Sequence, residues 1–199
     1  ICHGRLLGLV PKKNLPNYSE FYEMHHFEPA NEELDYIEYP GEEEQEWIPF
    51  GMQQIFYCPQ MEGLTVAAEI CEDLWVPQPP SITHAIAGAN VIVNLSASDE
   101  ITGKDSYRRN LVGGQSARLV CGYIYADAGE GESSTDLVFA AHNLIAENGT
   151  ILAQSKRFEN EIVTADLDIH RIRAERRRMT TRSEERRVGK ECWRVGWAR

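Results

Sequence analysis

Gly63-Leu-Thr-Val-Ala-Ala-Glu-Ile70 runs straight into Cys71-Glu-Asp-Leu-Trp75. The first segment is short, apolar and rich in residues that suit a strand, and reads as a buried strand. The second is polar and breaks that pattern at once. A thiol at such a junction is presented where a strand opens into a turn. Cysteine is the side chain most ready for covalent acyl chemistry. The same position also suits a buried structural cysteine, which packs as a small hydrophobe. Position alone leaves both readings open.

Outward from this stretch, strand and helix signals alternate. Leu6–Val10, Gln54–Cys58, Asn90–Leu95, Gly122–Ala126 and Glu161–Leu167 read as strands. Asn90–Leu95 is continuously apolar but for its asparagines and suits a central strand. Pro77, Pro79 and Pro80 punctuate the chain, and Ser81 is placed to cap a short helix through Ala87. Asp105–Val120 has helical composition, weakened by Gly113-Gly114. Asn143–Glu147 and Thr150–Gln154 flank Asn148-Gly149, a dipeptide suited to a type I′ hairpin turn. Asp168 is placed to cap a last helix with Ile169, Ile172 and Met179 on one face. Asn17 to Tyr39 shows no clean period. The pattern is α/β, with a sheet that mixes crossovers and hairpins.

At 199 residues the chain can form one domain with a real core. Its net charge of -11 disfavours a nucleic-acid partner. No apolar run approaches the roughly 20 residues of a membrane span, and no leader peptide is recognisable. Five scattered cysteines with no C-x-x-C pair support neither a zinc site nor a disulfide framework, which fits a reducing cytoplasm. Glu42-Glu43-Glu44 with Glu46 reads as a solvated acidic loop, and His25-His26 as surface rather than metal ligands. Gly129-Glu-Gly-Glu-Ser133 lacks the lysine of a phosphate-binding loop and reads as an ordinary loop.

Lys12 also lies at the end of an apolar segment, in Pro11-Lys12-Lys13-Asn14-Leu15-Pro16, with Tyr18, Glu20 and Phe21 close behind. Together with EICEDLW (69–75), this resembles the nitrilase, or carbon–nitrogen hydrolase, superfamily, which works through a Glu-Lys-Cys triad. Six ordered phrases are similar to one branch of it, the glutaminase domain of glutamine-dependent NAD⁺ synthetases: VPKKNLPNYSEFYE (10–23), EICEDLWVPQPPS (69–81), AGANVIVNLSAS (87–98), GKDSYRRNL (103–111), QSARLVCGYIYADAGEGESSTDLVF (115–139) and ENGTILAQSKRF (147–158).

The resemblance implies an α-β-β-α sandwich, incomplete here at its N-terminus. It implies Cys71 as nucleophile, Lys12 as the triad lysine and Glu20 as a second glutamate orienting the lysine and substrate. Tyr18, Phe21, Trp75, Ser98 and Lys104 would bind L-glutamine, and the backbone N–H of Glu72 would join Lys12 as oxyanion donor. Glu72 and Asp73 would have to point away from the thiol or be paired. The triad's general-base glutamate would lie upstream of Ile1, so the isolated chain is expected to be inactive. The glutaminase step needs no metal or organic cofactor. ATP and Mg²⁺ belong to a synthetase domain that would follow, and the complete protein is expected to be a cytoplasmic homo-oligomer. A stand-alone amidase of the same superfamily, or an inert fragment, remain the alternatives.

The last residues change character. Residues 182–199 carry a net +3 against -14 for residues 1–181. Arg182–Cys192 resembles the translation of a common sequencing adapter. The expected division is therefore 1–181, a partial carbon–nitrogen hydrolase domain, and 182–199, a non-native tail.

Overall fold

The computed structural model describes residues 1–31, 33–40, 45–133, 136–182 and 193–196, with backbone only for 40, 45, 46 and 193–196. Glu42–Glu44 and the side chain of Glu46 lie outside this set, as do residues 183–192 and 197–199 of the expected tail.

Along the chain the elements are β1 (Asp35–Pro40), β2 (Gln45–Phe50), β3 (Gln54–Tyr57), β4 (Thr65–Ile70), α1 (Pro80–Ile86), β5 (Val91–Ser96), α2 (Lys104–Leu119), β6 (Gly122–Asp127), β7 (Leu144–Glu147), β8 (Thr150–Gln154), α3 (Ile169–Arg178) and β9 (Trp193–Gly196). β1 and β2 form a separate antiparallel hairpin that sequence periodicity did not announce. The other strands form one sheet in the order β8-β7-β6-β5-β4-β3-β9.

The middle of the sheet is parallel, β4-β5-β6, because α1 and α2 supply the crossovers between these strands. Three strand ends, at Ile70, Ser96 and Asp127, therefore open on the same edge. In open α/β sheets that carboxyl edge is where ligands bind. Around this centre the core packs Ile55, Ala67, Leu74, Ile92, Val112, Leu119, Tyr123 and Leu144. The β7–β8 hairpin closes one side through Asn148 (φ 48°) and Gly149 (φ 90°), the two left-handed positions of a type I′ turn. β9 pairs with β3 at the opposite edge. Backbone pairing of this kind is open to any extended segment.

Four expectations are corrected. Leu6–Val10 is not a strand: it forms one bridge, Leu9 to Phe50. Its Leu9 backbone is held instead by Pro49 O and Gly51 N–H, and the Gln54 side-chain amide donates to Leu9 O at 2.7 Å and Gly51 O at 2.8 Å. Glu161–Leu167 alternates in exposure as a strand would but forms no ladder. It lies extended until Asp168 N–H meets Glu147 Oε2 at 2.7 Å. Ser81 does not cap α1. Pro79 occupies the cap, and the Glu69 carboxylate does the capping work, accepting the Ser81 N–H at 2.8 Å. In α3, Asp168 caps as expected, accepting from Arg171 N–H at 2.8 Å. The face it buries, however, is Ile172 with Arg176, whereas Met179 is exposed. The Arg176 guanidinium donates to Val120 O and Ala89 O at 2.8 and 2.7 Å, satisfying carbonyls just past α2 and before β5. Gly113-Gly114 does not interrupt α2. No helix among the described residues is long and apolar enough to cross a membrane.

Candidate active site

Cys71 leaves β4 with φ 46° and begins a 3-10 turn, Cys71–Leu74. A non-glycine residue in this region is strained, by about 1–3 kcal/mol. Such strain persists only where neighbours hold it, and here they are explicit. Asn94, in the middle of β5, accepts the Cys71 N–H on Oδ1 at 3.1 Å and approaches Cys71 O with Nδ2 at 3.5 Å. Asp73 Oδ2 accepts the Ile70 N–H at 3.0 Å. The chain thus turns sharply enough to put the thiol at the sheet's carboxyl edge.

Asp73 also brings in the second reactive group. It is 2% exposed, and its Oδ1 accepts the backbone and side-chain N–H of Asn14 at 2.9 and 2.8 Å. This fastens the Lys12 loop to the Cys71 elbow. That loop closes on itself through Ala30 N–H to Lys12 O at 2.9 Å. The closure swings Glu23 onto Lys12, whose Nζ lies 2.6 and 2.5 Å from its two carboxylate oxygens. The carboxylate that meets Lys12 is therefore Glu23, three residues after Glu20. Local spacing does not distinguish the two carboxylates; loop closure does.

Lys12, Glu23 and Cys71 line one cavity of about 690 Å³, together with Leu15, Phe27, Glu28, Leu95 and Asp127. Asp127 has its side chain fully buried 3.8 Å from the Arg108 guanidinium. Burial pushes its carboxyl up to about 6, with Arg108 opposing. Arg108, itself fully buried in α2, also pairs with Glu100 at 2.9 Å and meets His142 Nδ1 at 3.1 Å.

The expected glutamine-binding residues do not line that cavity, and of them Tyr18 and Lys104 act on Glu72. Tyr18 donates its hydroxyl to Glu72 Oε1 at 2.9 Å, and the Phe21 ring meets Tyr18 edge-on at 5.9 Å. Burial raises the Glu72 carboxyl above its ordinary range, while Tyr18, Lys12 and Lys104 pull it down. Burial and Glu72 together push Tyr18 up to about 12. Lys104 pairs with Asp99 and sits 5.2 Å from the Trp75 ring centroid. Ser98 is 3% exposed, and Arg108 donates to its hydroxyl at 3.4 Å. As expected, both acids beside Cys71 are paired, Glu72 with Tyr18 and Asp73 with Asn14. The Glu72 N–H opens the 3-10 turn, where the first donors have no acceptor within the turn.

Among the described residues no three His, Cys, Asp or Glu side chains converge as a metal site. The arrangement offers a thiol and an ammonium held by a carboxylate at one cavity, with the N–H of the next residue in the turn after the thiol: parts of nucleophilic acyl transfer.

Residues 4–177 match the family profile described as carbon-nitrogen hydrolase. The glutamine-dependent NAD(+) synthetase of Mycobacterium bovis is 42% identical over 193 residues, covering 96% of this chain and 28% of that protein. The human protein of the same name is 28% identical, over 90% of this chain and 26% of its own length. Among solved structures, a glutamine-dependent NAD(+) synthetase from Cytophaga hutchinsonii superposes with TM-score 0.59 at 27% identity, covering 73% of this chain and 22% of that one. A carbon-nitrogen hydrolase from Helicobacter pylori G27 shares the fold, with TM-score 0.62 at 18% identity, over 89% of this chain and 57% of its own. The chain spans little more than a quarter of the length of the curated relatives it matches.

Proposed function

The chain belongs to the carbon–nitrogen hydrolase family, and from that premise we propose that it is the glutaminase part of a glutamine-dependent NAD⁺ synthetase. One observation carries the reading. Cys71, strained at the end of β4, shares its cavity with the Lys12–Glu23 ion pair.

In this mechanism the Cys71 thiolate attacks the side-chain amide carbon of L-glutamine. The tetrahedral oxyanion is met by the Lys12 ammonium and the Glu72 N–H. A donor of this kind is worth about 10²–10³ in rate. The proton given up by the Cys71 thiol is returned to the departing nitrogen, the C–N bond breaks and ammonia leaves, and water then hydrolyses the γ-glutamyl thioester to glutamate and the free thiol. Glu23 holds Lys12 in place. Tyr18, Phe21, Trp75, Ser98 and Lys104 hold the amino-acid end of glutamine around Glu72. No metal or organic cofactor enters this step. The ammonia serves amidation of deamido-NAD⁺ in a synthetase domain that uses ATP and Mg²⁺, in the cytoplasm and within a homo-oligomer. Residues 1–181 form the hydrolase domain, and residues 182–199 are a non-native tail.

The test is covalent labelling. A diazoketone analogue of glutamine is expected to alkylate Cys71, L-glutamine to protect it, and Cys71→Ser to abolish the adduct. Glu23→Gln should slow labelling tenfold or more, and Glu20→Gln less than twofold. In a protein carrying both domains, Cys71→Ala should end NAD⁺ synthesis from glutamine but not from ammonium. Labelling at another residue, or none that glutamine blocks, overturns the reading.

A further inference from the structure

A buried polar chain runs behind the Cys71 elbow. Glu69, two residues before the thiol, points to the opposite side of β4 from Ile70 and is 1% exposed. Tyr123, on β6 and fully buried, donates its hydroxyl to Glu69 Oε1. Glu69 Oε2 accepts the Ser81 N–H at the start of α1 at 2.8 Å. On its other side the Tyr123 hydroxyl accepts from Asn94 Nδ2 at 3.3 Å. Asn94, 1% exposed, then accepts the Cys71 N–H at 3.1 Å. Three adjacent parallel strands each contribute one link.

The chain has a direction. Tyr123 donates its hydroxyl proton to Glu69 Oε1 while Oε2 accepts the Ser81 N–H. Its lone pair then faces Asn94, and only the NH₂ end of the carboxamide can meet it. The Asn94 oxygen is thereby left facing the Cys71 N–H. Were the carboxamide reversed, its NH₂ would oppose that N–H and its oxygen would oppose Cys71 O. The Tyr123–Glu69 bond thus selects the one orientation of Asn94 that suits both peptide groups of a strained residue. A buried polar network of this kind fixes geometry when every member is satisfied.

We infer that Asn94, Tyr123 and Glu69 are positioning residues that hold the Cys71 backbone in its left-handed conformation and so present the thiol. None touches the cavity of the proposed reaction. The inference builds on Cys71 as nucleophile, yet it concerns a geometry that can be read without catalysis.

Hydrogen exchange of the intact chain reads that geometry directly. The Cys71 amide is compared with the Ile92 amide, on β5, in the parent, Asn94→Ala, Tyr123→Phe, Glu69→Gln and Ile172→Ala. Losing one hydrogen bond corresponds to roughly a tenfold change in opening. Asn94→Ala should therefore speed Cys71 exchange about tenfold, and Tyr123→Phe at least threefold, with Ile92 unchanged. Ile172→Ala weakens a buried site on α3 outside the chain of bonds and should not single out Cys71. In the same variants, labelling of Cys71 by the glutamine analogue should fall relative to labelling by iodoacetamide.

A change at Cys71 of less than threefold in Tyr123→Phe, or an equal rise at Ile92, overturns the inference. Should Tyr123→Phe not fold, Glu69→Gln decides by the same threefold criterion, since one amide oxygen must then serve two donors. Failure of the analogue to label the parent chain would instead count against the glutaminase reading. The exchange data would still decide the role of the three residues.

Discussion

Asp73 joins the two loops of the candidate site, and replacing it with asparagine tests that joint. Its two oxygens accept three N–H groups: Asn14 N, Asn14 Nδ2 and Ile70 N, all at 2.8–3.0 Å. Asparagine has nearly the same shape but only one acceptor oxygen. If that oxygen serves Asn14, the new NH₂ faces the Ile70 N–H, and one charge-assisted bond is lost. Such a bond is worth about 1.5–3 kcal/mol, and the two that remain weaken because their acceptor is now neutral. The expected loss is about 3–4 kcal/mol. This is a large share of the roughly 5–15 kcal/mol that holds a domain together.

Urea unfolding followed by tryptophan fluorescence measures it. With a slope of about 2 kcal/mol per M, the midpoint of Asp73→Asn should fall by about 1.5–2 M. Limited proteolysis should in parallel find new cleavage between Lys12 and Ala30, because the Lys12 loop has lost its anchor. Glu72→Gln is the neighbouring control. Glu72 is bonded to the exposed hydroxyl of Tyr18, so its midpoint should move by less than about 0.3 M. An Asp73→Asn shift as small as that of Glu72→Gln, with unchanged cleavage, would refute the reasoning.

Two further predictions concern stability. Burial raises the Glu69 carboxyl from 4.5 to about 7, against the opposing bonds from Tyr123 and Ser81. Between those values the folded state binds more protons than the unfolded one. The contribution is thus fully present below pH 4.5 and lost as pH rises through 7, about 3 kcal/mol in all. Subtracting the Glu69→Gln stability curve from the parent's should isolate that fall, and a rise over the same range would contradict it. Gly149 has φ 90°, and a Cβ there would stand 2.9 Å from the Ala117 Cβ. Gly149→Ala should cost about 1–3 kcal/mol, read as a lower thermal midpoint, whereas Asn148→Gly should cost little.

What was legible in the chain is what depends on near neighbours along it. The hairpin at Asn148-Gly149, the cap at Asp168, the helix read over Asp105–Val120 and found over Lys104–Leu119, and the central strand read over Asn90–Leu95 and found over Val91–Ser96 are local matters of positive φ, capping oxygens and apolar periodicity. Ordered phrases around Lys12 and Cys71 likewise carried the family, because a cysteine at a strand end is written in consecutive residues. Leu6–Val10 and Glu161–Leu167 look like strands by the same local rules. Yet a strand exists only where another backbone lies alongside, and that is a property of the assembled sheet. The site divides in the same way. Tertiary structure alone decided that Glu23 and not Glu20 meets Lys12, since an 18-residue closure from Lys12 O to Ala30 N–H selects between them. It alone decided that Asp73 ties two loops 59 residues apart, and that Asn94, Tyr123 and Glu69 stand behind Cys71. Hydrogen bonds between strands and loops follow spatial adjacency, and periodicity along one segment holds no record of which distant donor will face which acceptor.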